Sequence, residues 1–398
     1  MRTQHWILYI VFLVAVIGVF IGSLISPPFR AMAYAPGREL LFPPPKPVEV
    51  YLLYSTEKEE WLQMAIERFH QSNPTIDGRP IEIVTEKAGS REMVLAVMEG
   101  DEQPDIISPA SSLHISILEE LSNTRYGESW VRYNDPKYCR SVLQTPLVLV
   151  SWEERAQALW GAQPPQDMWL QLHDDLINPE GWSAFGQPDW GYIKFGHTTP
   201  AKSNSGLMTL LLMTYGYYER SSGLSSNDIL SNSDFQDWLI EFESTVTSFG
   251  DSTGTYMKEI VAYGPSTYDI VAVYEATAIE QAENAQARYD NLRVYYPPLT
   301  VMSDHPFCTL QTDWVEEVEE RAANQFIDFL LTEEMQEAAL IDHGFRPALS
   351  SIPVDQAQSP LLRYSDLGLQ VATPPEVEVP AGSVLNVLID FWTRNVQP

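Results

Sequence analysis

The sequence predicts an α/β fold with a parallel sheet and helices on both its faces. Three observations carry this. Short apolar runs rich in β-formers recur, a hydroxyl-bearing turn closes each run, and an amphipathic helical pattern opens after each turn. At 398 residues the chain is long enough for two or three domains with filled cores.

The first element is "WILYIVFLVAVIGVFIGSLI", Trp6 to Ile25, a run of 20 residues without a charge. A hydrocarbon core of about 30 Å needs ~20 apolar residues to be crossed. The run therefore predicts a single-pass membrane anchor within residues 1–33, with the rest of the chain extracytoplasmic. Ala31-Met32-Ala33 is an A-x-A pattern, so a signal cleaved there, releasing a secreted protein, is the alternative. Residues 34–47 hold Pro43, Pro44, Pro45 and Pro47 and read as a semi-rigid spacer.

The folded body begins at Val48. "VEVYLLY" predicts a buried strand, and Ser55 or Thr56 caps the helix whose inward face is Trp61, Leu62, Ala65, Ile66 and Phe69. "IEIVTEK" is a second strand, and a turn at Gly89-Ser90 opens a helix with Met93, Val94, Val97 and Met98 inward. "PDIISPASS" is a third strand that ends at Ser108 and Ser111. "TPLVLVSWEERAQAL" repeats the pattern from Thr145. In "WGYIKFGHTTPAKSNSGLMTLLL" a strand from Gly191 to Gly196 leads through a hydroxyl-rich turn, and Ser203 or Asn204 caps the next helix.

Charge narrows the function. Lys plus Arg number 24 against 54 Asp plus Glu, a net charge of -30, which excludes a general nucleic-acid binder. The seven histidines form no zinc-binding spacing, so neither metal nor cofactor is expected. No G-x-S-x-G elbow is present, and His197 has no obvious acidic partner in sequence, so catalysis is not expected. The two cysteines, Cys139 and Cys308, are either a disulfide or two separate buried thiols.

Ligands of open α/β sheets sit beyond the carboxyl ends of the strands, among helix N-termini. Ser55, Thr56, Ser90 and Ser108 fall at such ends in the first half; Ser203, Asn204 and Ser205 fall at one in the second. Helix capping alone explains any one of them. Their recurrence points to a crevice that binds a small solute.

Four stretches carry a resemblance to a known family: "VYLLYSTEKEEWLQMAIERFHQSNP", "GHTTPAKSNSGLMTLLL", "STYDIVAVYEATAIE" and "AANQFIDFLLTEEMQEAALIDHGFRPA". The chain resembles the extracellular solute-binding proteins of ABC transporters, with the two-lobed type II periplasmic-binding-protein fold. Membrane-anchored relatives associated with von Willebrand-type A domains share the P-x-x-S-x-S-G turn, here Pro200, Ser203, Ser205 and Gly206.

The resemblance implies one lobe of residues 48–145 plus 297–349 and a second of 146–296, closing on a solute by a hinge. It leaves 350–398 as a tail with a terminal helix. It brings Cys139 near Cys308, and it places Tyr274 and Glu275 in the cleft. The implied partners are an ABC transporter permease or a von Willebrand-type A domain protein. Hydroxyl turns suit an oxyanion, with Arg91 and Lys202 near helix starts; Glu275 would repel one and suits a sugar or an amine. A sensor or scaffold of the same fold, working by protein contact, is the rival reading.

Overall fold

A computed structural model describes residues 2–25, 45–246 and 248–396. The chain divides into two compact units, one of residues 1–47 with 77–80 and one of the remainder. The first unit contains the helix Arg2–Ile25, whose large apolar side chains from Trp6 to Ile17 are exposed. Among the described residues no helix is long and apolar enough to cross a membrane. The Ala31-Met32-Ala33 pattern and most of the Pro-rich spacer lie outside the described residues.

The second unit holds two six-stranded sheets. The strands are β1 (Val48–Ser55), β2 (Thr75–Ile76), β3 (Arg79–Ala88), β4 (Ile106–Ser108), β5 (Cys139–Ser141), β6 (Leu143–Trp152), β7 (Phe195–Gly196), β8 (Ile270–Tyr274), β9 (Leu292–Tyr295), β10 (Met302–Ser303), β11 (Pro306–Thr309) and β12 (Arg346–Pro347). The first sheet runs β2-β3-β1-β4-β11-β5. β1 is parallel to β3 and β4, in a register that sets Tyr54 opposite Ser108. The second sheet runs β10-β6-β8-β7, with β9 and β12 also on β6.

β6 explains why "TPLVLVSW" lacks alternation: eight of its residues from Thr145 are buried, because both faces of the strand are covered. Its start pairs with β10 and β12, its end with β8 and β9. Cys139 and Cys308 are register partners across β5 and β11 and are joined by a disulfide. Their strands meet only in the fold, at a sequence separation of 169.

The strand expected over Gly191–Gly196 is cut to its last two residues, Phe195 and Gly196. Gly191 sits at φ +76, outside the extended region, and its carbonyl accepts from Trp182 N. At the other end of the chain, the helix Gly382–Asn395 packs back onto the body. It buries Leu385, Leu388, Ile389 and Trp392 against the helices Ser112–Tyr126 and Ser226–Leu230.

Candidate functional site

Helix starts from both sheets converge on one buried polar region. β1 ends at Ser55 and leads through the single turn Thr56–Lys58 into the helix Glu59–Gln71. β3 leads through Gly89 to the helix Ser90–Glu99, and β4 leads through Ser111 to the helix Ser112–Tyr126. From the second sheet come the helices Asn204–Tyr217, Thr253–Tyr263 and Glu275–Arg288. Each presents amide N–H groups without intrahelical partners.

Three of the hydroxyls here are not spent on capping. Ser55 and Ser203 occupy cap positions, and neither side chain caps its helix. Ser90 stands one residue inside its helix, after Gly89. Its Oγ instead accepts from Ala110 N at 3.0 Å. Ser111 does cap, accepting from Leu113 N at 3.3 Å.

In the second half the hydroxyls form a chain. Ser205 Oγ lies 2.7 Å from both Thr198 Oγ1 and Thr253 Oγ1, and Ser203 Oγ lies 3.4 Å from Thr253 Oγ1. Gly206 serves this turn: a Cβ there would stand 2.1 Å from Thr198 O. The close backbone approach expected of Gly206 is therefore to the chain's own loop.

The two halves touch here. Ser111 Oγ donates to Asn204 Oδ1 at 2.7 Å, and Asn204 Nδ2 donates to the Tyr274 hydroxyl at 2.9 Å. Arg91 N donates to Lys202 O at 2.9 Å. Of the nine residues expected in the site, Ser55, Ser90, Ser108, Ser203, Asn204, Ser205 and Tyr274 are buried around this region. Thr56 is half-buried at the mouth of its turn.

Glu275 departs from the expected role. Its carboxylate is held by Arg346 through Nε at 2.8 Å and Nη2 at 2.7 Å, and it accepts a further bond from the Tyr296 hydroxyl. A bidentate guanidinium pair neutralises it, so it presents no free charge to a solute. Asp269 is likewise engaged, by Arg155, Trp182 Nε1 and Lys194 N. The Arg91 guanidinium donates to Asn386 Oδ1, and Lys202 pairs with Asp251 at the surface.

Four residues at the site carry no sequence motif. Lys58 is fully buried, its Nζ 2.5 Å from Ser55 Oγ, 3.3 Å from His305 Nδ1 and 3.5 Å from Glu57 Oε1. Burial pulls this lysine down to about 8, against the opposing pull of Glu57. Burial alone would raise Glu57, but the Lys58 charge and bonds from His305 and Ser55 outweigh it and bring the carboxyl to about 2. His305 is lowered to about 4 by burial and by Lys58, so its ring is neutral at pH 7. Its backbone is left-handed, at φ +37, and its N–H bonds Ala110 O. Ser303 Oγ donates to the same carbonyl at 2.6 Å.

Two buried groups near this cluster lack partners: Ser108 Oγ and both ring nitrogens of His114. Such groups are costly unless a ligand or water meets them. A pocket of about 330 Å³ opens beside Glu57 and is lined by Trp61, Phe345 and Ile279 together with Glu60, Glu280 and Glu283. A larger pocket of about 540 Å³ at Trp169, Leu212 and Arg220 holds none of the expected site residues. Among the described residues no group of three His, Cys, Asp or Glu is placed to hold a metal.

Two α/β sheets with helix starts meeting between them form the periplasmic-binding-protein fold. Residues 50–346 match the family model described as bacterial extracellular solute-binding protein, and the chain belongs to that family. It is thus a solute-binding protein that acts outside the cytoplasm.

A comparison with curated proteins finds no match. Among solved structures, a periplasmic thiamin binding protein is similar at TM-score 0.60 and 10% identity, covering 88% of this chain and 97% of its own. A periplasmic binding protein of Actinobacillus pleuropneumoniae with fructose-6-phosphate bound is similar at TM-score 0.56 and 15% identity, covering 88% and 99%. A sulfate-binding protein of Mycobacterium tuberculosis is similar at TM-score 0.50 and 17% identity, covering 83% and 93%. At these identities the likeness is one of fold.

Proposed function

We propose that this protein captures a small solute bearing a compact anionic group. The solute sits between lobes 48–145 plus 297–349 and 146–296, which close by a hinge. One observation carries the reading: helix starts and hydroxyls not spent on capping converge from both sheets around Ser55, Ser108, Asn204 and Ser205, beside the buried Lys58–Glu57 pair. Helix N-termini favour anions. Glu275, the carboxylate that spoke for an amine or a sugar, is neutralised by Arg346. Proteins of this fold include a sulfate-binding protein and one with fructose-6-phosphate bound, which belong to this class, and a thiamin binding protein, which does not. The family and its neighbours are binding proteins, and no catalytic role is assigned here.

Delivery to an ABC transporter permease, or association with a von Willebrand-type A domain protein, completes the proposal. The uncharged run Trp6–Ile25 supports tethering at the membrane, with secretion after cleavage as the alternative. A thermal-shift screen of residues 36–398 with sulfate, phosphate, fructose 6-phosphate, neutral sugars and amines tests the solute class. A ligand at ~100 Kd adds about 2.7 kcal/mol of stability. Selective stabilisation by the anions supports the reading; a response to amines alone overturns it.

The rival, a module working by protein contact, draws on one observation. Asn204, Ser111 and Tyr274 satisfy each other across the site, as do Lys58 and Ser55 within it. A flat screen favours that rival.

A further inference from the structure

His197 and Glu243 lie behind the hydroxyl loop, and both side chains are fully buried. The sequence places them 46 residues apart, and the fold sets His197 Nε2 3.0 Å from Glu243 Oε2. The other ring nitrogen, Nδ1, lies 2.8 Å from Thr198 O. A carbonyl only accepts, so Nδ1 carries a proton. A bare Nε2 and an ionised carboxylate are both acceptors and cannot hold 3.0 Å between them. The pair therefore keeps a second proton, on the ring or on Glu243. Among the described residues Glu243 Oε1 has no partner.

The ring acts on the loop through Thr198. Its Nδ1 fixes the Thr198 carbonyl, and the Thr198 hydroxyl holds Ser205 Oγ at 2.7 Å. The strand partner of the loop is tied to the same residue, for Gly250 N donates to His197 O and Thr199 N donates to Gly250 O. The ring is wedged by Phe195 from β7 and by Phe249 beside Gly250, with centroids at 5.7 and 5.1 Å. From the helix Ser233–Ser244 it faces Glu243, and the Tyr256 hydroxyl and the Tyr268 ring pack against the neighbouring Gly196.

We infer that His197 and Glu243 are a proton-sharing positioning pair that sets Thr198 and Ser205 for solute. Neither residue touches the solute. The inference rests on the reading of this loop as solute-binding. Losing the Nε2–Oε2 bond frees the ring and loosens its hold on the Thr198 carbonyl, so affinity falls. Glu243→Gln restores the bond without the proton, because its carboxamide donates to a neutral Nε2.

The test is calorimetric titration of the full chain with sulfate, phosphate and fructose 6-phosphate. Glu243→Ala is expected to lose about tenfold in affinity, the size of one well-placed hydrogen bond. Glu243→Gln is expected to bind like wild type. Ser205→Ala serves as the control for the site. If it weakens binding while both Glu243 variants follow wild type, the positioning pair is overturned and the solute site stands. If no probe binds, the solute class fails, and ¹⁵N shifts of the His197 ring decide the pair on their own. A ring nitrogen left bare and unbonded at neutral pH overturns it.

Discussion

The Asn204 carboxamide joins the two sheets, accepting from Ser111 Oγ at 2.7 Å and donating to the Tyr274 hydroxyl at 2.9 Å. All three residues are buried, so no water replaces a lost bond. Asn204→Ala is expected to destabilise by about 1–3 kcal/mol, because a donor and an acceptor are left unmet. It also lowers affinity for the anion probes. Chemical denaturation gives the first quantity and titration the second; an unchanged protein on both counts removes Asn204 from the site.

Ser203→Ala with Ser205→Ala bears on the same loop. From the sequence these hydroxyls look free for solute, which predicts lost binding at unchanged stability. In the structure Ser205 Oγ links Thr198 and Thr253, so a stability loss of about 1–2 kcal/mol accompanies the loss of binding. Thermal unfolding of the double variant distinguishes the two expectations.

Glu275 and Arg346 form a buried ion pair, and Arg346 also donates to the carbonyls of Gln370 and Val371. Arg346→Met strands a buried carboxylate and is expected to cost about 3–5 kcal/mol. Adding Glu275→Gln removes the stranded charge and recovers part of that loss. Urea denaturation of both variants checks the order, and equal losses would contradict it.

Glu57 sets the acid limit. Its carboxyl is at about 2 in the folded chain against an ordinary 4.5. A depressed carboxyl adds stability that is full above the ordinary value and is lost as pH falls from about 4.5 towards 2. Glu57→Gln should flatten the melting temperature in that window. An acid limb identical to wild type would assign the loss to other carboxyls.

Trp392 anchors the terminal helix. It is fully buried and meets Phe249 edge-on at 5.1 Å, while Asn386 on the same helix accepts from Arg91 at 2.9 Å. The helix therefore holds groups from both sheets. Trp392→Ala is expected to cost about 3–5 kcal/mol. Small-angle scattering of the variant should show a larger radius if the helix also restrains opening between the lobes.

Much of the architecture was legible along the chain because its signals are local. "VEVYLLY" and "TPLVLVSW" are apolar runs that only a covered strand explains, and Trp61, Leu62, Ala65, Ile66 and Phe69 repeat at helical spacing. The hydroxyls at strand ends were legible for the same reason, since a turn and the helix after it are neighbours in sequence. Gly191 was not, because its left-handed backbone shortens a strand that composition alone would continue.

Pairing across long separations belongs to the tertiary structure. Glu275 reads as a cleft carboxylate until Arg346, 71 residues on, takes its charge. His197 lacks an acid until the helix Ser233–Ser244 delivers Glu243, and Lys58 meets His305 from 247 residues away. Sequence patterns report which face of a segment is apolar, and that suffices to place a strand or a helix. The protonation and the free valences of a polar side chain depend on what lies opposite in space, which follows only once both sheets are folded around it.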